Sequence, residues 1–109
     1  MPKSQPLDPT QFLPLPPLAF HILLCLGDGE RHGYALKREI AKRTEGRLNP
    51  GAGSLYGTIQ KLLEHGLIEE SGERPDPHLD DERRRYFRMS ELGLAVAQAE
   101  AARMRALVE

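Results

Sequence analysis

The 109-residue chain has one cysteine and no tryptophan. A lone Cys25 excludes an intramolecular disulfide and a zinc site built from several thiolates, and it fits a reducing cytoplasm. No apolar run approaches the roughly 20 residues of a membrane span. The stretch from Phe12 to Leu26 superficially resembles a secretory leader after Lys3, but Pro14, Pro16, Pro17 and His21 interrupt it and no small-x-small cleavage site follows. A cytoplasmic protein is expected. The sequence also lacks a Gly-rich phosphate loop, a nucleophile elbow and an HExxH pair, and its length leaves no separate domain to shape a catalytic pocket, so an enzyme is not expected. With 39% hydrophobic residues it holds one modest core, of the size that is often dimeric.

The net charge of −1 is near zero, yet the charge is strongly segregated. From Arg31 to Lys61 seven basic residues face two acids, a net of +5, and Arg83 to Arg88 carries +4. Between them, Leu62 to Glu82 holds eight acids against Arg74, a net of −7. Basic blocks around an acidic connection fit a surface presented to nucleic acid. A solvated surface with incidental charge blocks is the competing reading.

The order of elements is mainly helical. Met1 to Leu15, with Pro2, Pro6, Pro9 and Pro14, reads as a Pro-rich arm (1–15) without regular structure. A first helix runs from Pro17 to Leu26 and stops at Gly27; it is apolar around most of its circumference, as in a buried or dimer-contacting helix that offers Leu18 and Ile22. A second spans Tyr34 to Thr44, with Lys37, Arg38, Lys42 and Arg43 outward and Gly46 as its stop. A third is expected to have Asn49 as N-cap, Pro50 at its first position and a stripe of Leu55, Ile59 and Leu62, ending at Gly66. The turn Gly46 to Leu48 has the length of a helix-turn-helix connection.

Leu67 to Ser71 reads as a short strand, Gly72 to Glu82 as a Pro- and Asp-rich loop, and Arg83 to Ser90 as a returning strand with Phe87 and Met89 toward the core. Two strands so joined make a wing. Ser90 caps a last helix from Glu91 onward, which bears two apolar lines. One is Leu92, Val96 and Ala99; the other is Leu94, Ala97, Ala101, Met104 and Val108 at spacings of three and four. The second line has the seam of a helix pair, favouring a homodimer over one broad Ala-rich stripe. The expected fold class is therefore mainly α with a small β wing: a winged helix-turn-helix over 16–90 and a C-terminal dimerisation helix over 91–109.

The outer face of the third helix offers Ser54, Thr58 and Lys61, short donors and a long cation at helical spacing that suit a major groove. Gly53 and Gly57 keep its backbone close to whatever it meets, or merely relieve packing. Arg83, Arg84 and Arg85 in the wing reach phosphates or a minor groove, or serve solubility. His21 and Cys25 at i, i+4, and His78 among Asp76, Asp80 and Asp81, have the residue types of cation ligands, but a core helix and a solvated loop account for them better, so neither a metal nor a cofactor is expected.

Three segments together, HGYALKREI (His32 to Ile40), GSLYGTIQKLLEHGLI (Gly53 to Ile68) and RRRYFRMSELG (Arg83 to Gly93), closely resemble in order and spacing the signature segments of PadR-type transcriptional regulators. The resemblance covers about Leu15 to Glu109. It implies a cytoplasmic, homodimeric repressor of a palindromic operator on double-stranded DNA, in the small subfamily with one dimerisation helix after the wing; release of the operator by an effector or signal is the expected mechanism, with the effector left open. By position it matches Ser54, Leu55 and Tyr56 to the family's small-Leu-Tyr opening of the recognition helix, where the Tyr lies near the DNA backbone, and His32, Gly33 and Tyr34 to its His-Gly-Tyr. The expected DNA-binding set is Tyr34, Lys37, Asn49, Ser54, Tyr56, Thr58, Lys61, Arg83, Arg84 and Arg85; the expected dimerisation set is Leu18, Ile22, Leu94, Ala97, Ala101, Met104 and Val108. The wing loop is longer and more acidic than is usual in the family, and the absence of tryptophan removes the aromatic sandwich that some multidrug-binding relatives use. The alternative from another class is a winged helix that docks a protein and never touches DNA.

Overall fold

The computed structural model describes residues 7–75 and 83–109. Along the chain, α1 is Pro17–Leu26, β1 Arg31–His32, α2 Gly33–Arg43, α3 Ala52–Glu64, β2 Ile68–Pro75, β3 Arg83–Met89 and α4 Glu91–Leu107. The three strands form one antiparallel sheet in the order β1-β3-β2. This is the expected winged helix, mainly α with a small β wing.

Apolar faces meet at one core. Ile22, Leu23 and Cys25 from α1, Leu36 and Ile40 from α2, Leu55, Ile59 and Leu62 from α3, Phe87 from β3 and Val96 from α4 are all buried in it. Side chains of the Leu, Ile and Phe type contribute about 1.5–3 kcal/mol each when fully withdrawn from water, so the stripe on α3 alone ties that helix firmly down. Its far side is left outward.

Several local expectations shift. The second helix begins one residue early, because His32 Nδ1 accepts the N–H of Ala35 at 3.1 Å and caps it. Asn49 is not the cap of α3: Gly51 holds that position with extended backbone, and the helix starts at Ala52. The connection between α2 and α3 is therefore 44–51 and not three residues. It is braced by Thr44, whose hydroxyl donates to Ile40 O at 2.8 Å and accepts the N–H of Leu48 at 3.0 Å.

The wing also differs. β2 continues through Gly72 to Pro75, into what the sequence suggested was loop, because it pairs with β3 from Ile68↔Met89 to Pro75↔Arg83 around a bulge between Glu70 and Gly72. Arg31 and His32 add an unforeseen third strand against Phe87 and Tyr86. The acidic loop with Asp76, His78, Asp80 and Asp81, read from sequence as solvated, lies outside the described residues.

The described part of the N-terminal arm is ordered, contrary to expectation. Pro9–Phe12 forms a 3-10 turn capped by Asp8, whose carboxylate accepts the N–H of Thr10. Leu15 then enters the core and donates its N–H at 2.9 Å to Glu100 on α4. Glu100 is fully withdrawn from solvent, and Arg103 satisfies the rest of its carboxylate at 2.6 and 3.2 Å. The arm thus lies along α4 because a buried carboxylate needs donors.

The start of α4 is clipped to the end of α3. Ser90 Oγ accepts the N–H of Gly93 and donates to Gly66 O at 2.6 Å, while the N–H of Ser90 reaches Leu67 O at 3.1 Å. A Cβ on Gly93 would overlap the Leu67 carbonyl, so this approach admits only glycine.

Candidate nucleic-acid interface

The outward face of α3 is centred on Gly53 and Gly57, opposite the buried Leu55, Ile59 and Leu62. A Cβ at either glycine would meet no protein atom within 4 Å. Packing therefore does not require them, and relief of crowding is excluded as their reason. Each costs about 0.8–1.0 kcal/mol of helix stability relative to alanine. Ser54 and Lys61 flank them on one side, Tyr56 and Gln60 on the other, and all four are exposed. Thr58 stands at the edge of this face, half-buried, its hydroxyl donating to Ser54 O at 2.9 Å. Gln60, which the sequence reading left out, occupies the same face and is the more open of the two; a helical projection of the sequence contains that signal.

Beside α3 stands a platform at the start of α2. Tyr34 is 48% exposed, with the guanidinium of Arg38 5.8 Å and that of Arg84 5.4 Å from its ring centre. Tyr56 reaches across from α3 so that its phenol lies on Gly33, where any Cβ would strike the ring. The His-Gly-Tyr segment thus has a physical account in three parts. His32 caps α2, Gly33 lets Tyr56 close in, and Tyr34 carries cations outward. Asn49, expected as a contact, accepts from Lys37 Nζ at 3.2 Å, so these two side chains lie together next to the platform.

The wing is less basic than its sequence. Arg85 makes two hydrogen bonds to the Glu70 carboxylate, at 3.1 and 2.9 Å, and Arg88 meets Glu69 at 3.0 Å. Arg74 pairs with Glu30 and lies 4.3 Å over the Tyr86 ring. The Arg85 hydrogen bonds hold the Glu70 carboxyl below the usual carboxylate range, and Arg74 holds that of Glu30 down to about 2. Both acids stay ionised at neutral pH. Glu69 and Glu70 of the −7 block thus pair with Arg88 and Arg85 of the +4 block across the strands. Of the three wing arginines expected at DNA, Arg85 is engaged by Glu70, Arg84 lies over Tyr34, and Arg83 is placed only by its backbone pairing with Pro75.

The expected dimerisation set divides. Ile22 is wholly inside the core and Ala97 nearly so, which leaves neither for a second copy; Leu18 and Ala101 are half-buried. Leu94 and Met104 are 46% and 38% exposed, and Val108 lies open. Leu107, not named from sequence, is 70% exposed beside them. The residues of α4 at Gly93, Val96, Ala97 and Glu100 face inward instead. Cys25 belongs to the core, and burial pushes its thiol pKa up, which keeps it protonated and a poor ligand. Among the described residues, no group of three or more His, Cys, Asp or Glu is placed to hold a metal ion.

An outward helix face on a helical scaffold, with a hairpin wing beside it, defines a winged-helix domain. The chain belongs to the PadR-like family of transcriptional regulators, whose family model matches residues 22–99. No curated protein matches it in sequence. Among solved structures, a transcriptional regulator from Clostridium thermocellum is similar with a TM-score of 0.70 at 20% identity, over 82% of this chain and 83% of that one. A Streptococcus transcriptional regulator gives a TM-score of 0.69 at 25% identity over 84% of each chain. RosR of H. salinarum gives 0.64 at 26% identity, over 87% of this chain and 79% of its own. Among the described residues, no helix is long and apolar enough to cross a membrane.

Proposed function

We propose that this regulator is a cytoplasmic homodimer that binds a palindromic DNA operator and represses transcription until an effector releases it. The observation that carries the reading is the pair Gly53 and Gly57 on the open face of α3. They bare the backbone where nothing inside the protein needs room, which suits close approach to a DNA groove. Ser54, Gln60 and Lys61 then stand over base edges and phosphates, while Tyr34, Tyr56, Lys37, Asn49 and Arg84 meet the backbone alongside. The exposed line Leu94, Met104, Leu107 and Val108, with Ala101 between, supplies the dimer seam. Two such heads would read half-sites about one turn, roughly 34–36 Å, apart.

The experiment is selection of duplexes from a random-sequence pool by the full chain, followed by salt titration against an unselected duplex of equal length. Recovery of an inverted repeat, bound more tightly than the control and steeply weakened by salt, is the expected result. Lys61→Ala should reduce the salt slope by about 0.9 per protomer. No binding even at low salt would overturn the reading. It would favour a protein-docking winged helix, which the ion-paired wing arginines and the net charge of −1 support.

A further inference from the structure

Between the arm, α1 and α3 lies a cavity of about 300 Å³. Leu15, Ala19 and Leu62 make an apolar floor, and all three are buried. Phe12 walls the arm side, with its ring edge-to-face to His65 at 5.6 Å between centres. The wall is pre-formed, because the N–H of Leu15 is held by Glu100 on α4. At the rim stands Lys61, and among the described residues no carboxylate lines the cavity with it.

An apolar hollow with one uncompensated cation selects an apolar body bearing one negative charge. The volume has room for about ten non-hydrogen atoms, taking the ~30 Å³ that a water molecule occupies in the liquid as the unit. A cationic guest of that size would be repelled, and a neutral one would gain a hydrogen bond from the ammonium but not the ion pair. The position of Lys61 gives such binding a consequence, since the same side chain borders the bare glycine face of α3.

We propose that this cavity is the effector site, taking a medium-chain acyl carboxylate whose head group pairs with Lys61 and withdraws that cation from DNA. The proposal rests on the reading of α3 as the DNA-facing helix. A bound carboxylate neutralises one cation per protomer at that face, so the operator complex weakens through electrostatics without any rearrangement of the fold.

Octanoate is the probe, titrated by calorimetry into the full chain without DNA, with n-octylamine as the control of opposite charge. One octanoate per protomer is expected, and no octylamine. Lys61→Met, which keeps length and removes charge, should weaken octanoate binding at least about tenfold. Ala19→Leu, which fills the floor, should abolish it while leaving operator affinity in the absence of octanoate unchanged; if that variant does not fold, Phe12→Ala removes the wall to the same effect on octanoate. On the selected operator, saturating octanoate should weaken binding about tenfold, within the usual range of coupling, and flatten the salt slope by about 0.9 per protomer. Equal binding of octylamine, indifference to Lys61→Met, or octanoate binding with no change at the operator would each overturn the proposal. The calorimetry separates the two layers. Absent octanoate binding with operator selection intact overturns the cavity assignment alone, whereas failure to select any duplex overturns the function beneath it.

Discussion

At Gly57 the demands of folding and of the proposed contact oppose each other. Helix propensity asks for alanine there, and no protein atom stands in its way. Gly57→Ala should therefore raise thermal stability by about 0.5–1 kcal/mol while weakening operator binding, because the added methyl intrudes on the groove. Calorimetric melting and a binding titration on one sample check both signs; a stabilised variant with unchanged operator affinity would remove the glycine argument. Gly33 is the reverse case. Its missing Cβ is filled by the Tyr56 phenol, the far end of a partly exposed side chain, so Gly33→Ala should turn that ring away and lower stability only slightly, by about 0.5 kcal/mol or less, in a denaturant titration. The two glycines look alike in the sequence. Only the packing tells that one serves the fold and the other does not.

Elements differ in how far the sequence reveals them, according to how local their causes are. The first helix, with Pro17 at its start, and the last, with Ser90 accepting from Gly93, were legible because capping and periodicity reside in neighbouring residues. The strand Arg31–His32 was not, since two residues have no periodicity and exist as a strand only through Phe87 and Tyr86. The same holds for the outer half of β2 and for the wing charges, whose pairing depends on register. Register makes the wing testable: Glu70→Gln should release Arg85, tighten operator binding and steepen its salt slope by up to about 0.9 per protomer, measured by the same titration. The arm has a pH limit of its own. Arg103 first, and the N–H of Leu15 next, hold the Glu100 carboxyl below its ordinary value of 4.5. A depressed carboxyl stabilises fully above its unfolded value and ceases to do so as pH falls through the folded one. Arm docking should therefore persist from neutrality to about 4.5 and fail in stronger acid, as protection of the Leu15 amide from hydrogen exchange would report.

For the whole molecule, the apolar face left on α4 sets the expected assembly. Leu94→Glu with Met104→Glu should give monomers by sedimentation and reduce operator affinity by far more than the loss of any one contact, since two heads joined in a dimer bind with the second site at high effective concentration. A double variant that remains dimeric would move the seam elsewhere. The clip of Ser90 and Gly93 onto Gly66 and Leu67 has a wider consequence. It makes α4 the handle of α3, so that the crossing angle of two handles fixes the distance between the two reading faces. In the proposed dimer, substitutions at Leu94 or Met104 would re-space the half-sites that are accepted while the bases read within each half-site stay the same. Spacing and spelling of the operator would then evolve on different residues, so a duplicated copy of the gene has a route to new targets that leaves its reading helix untouched.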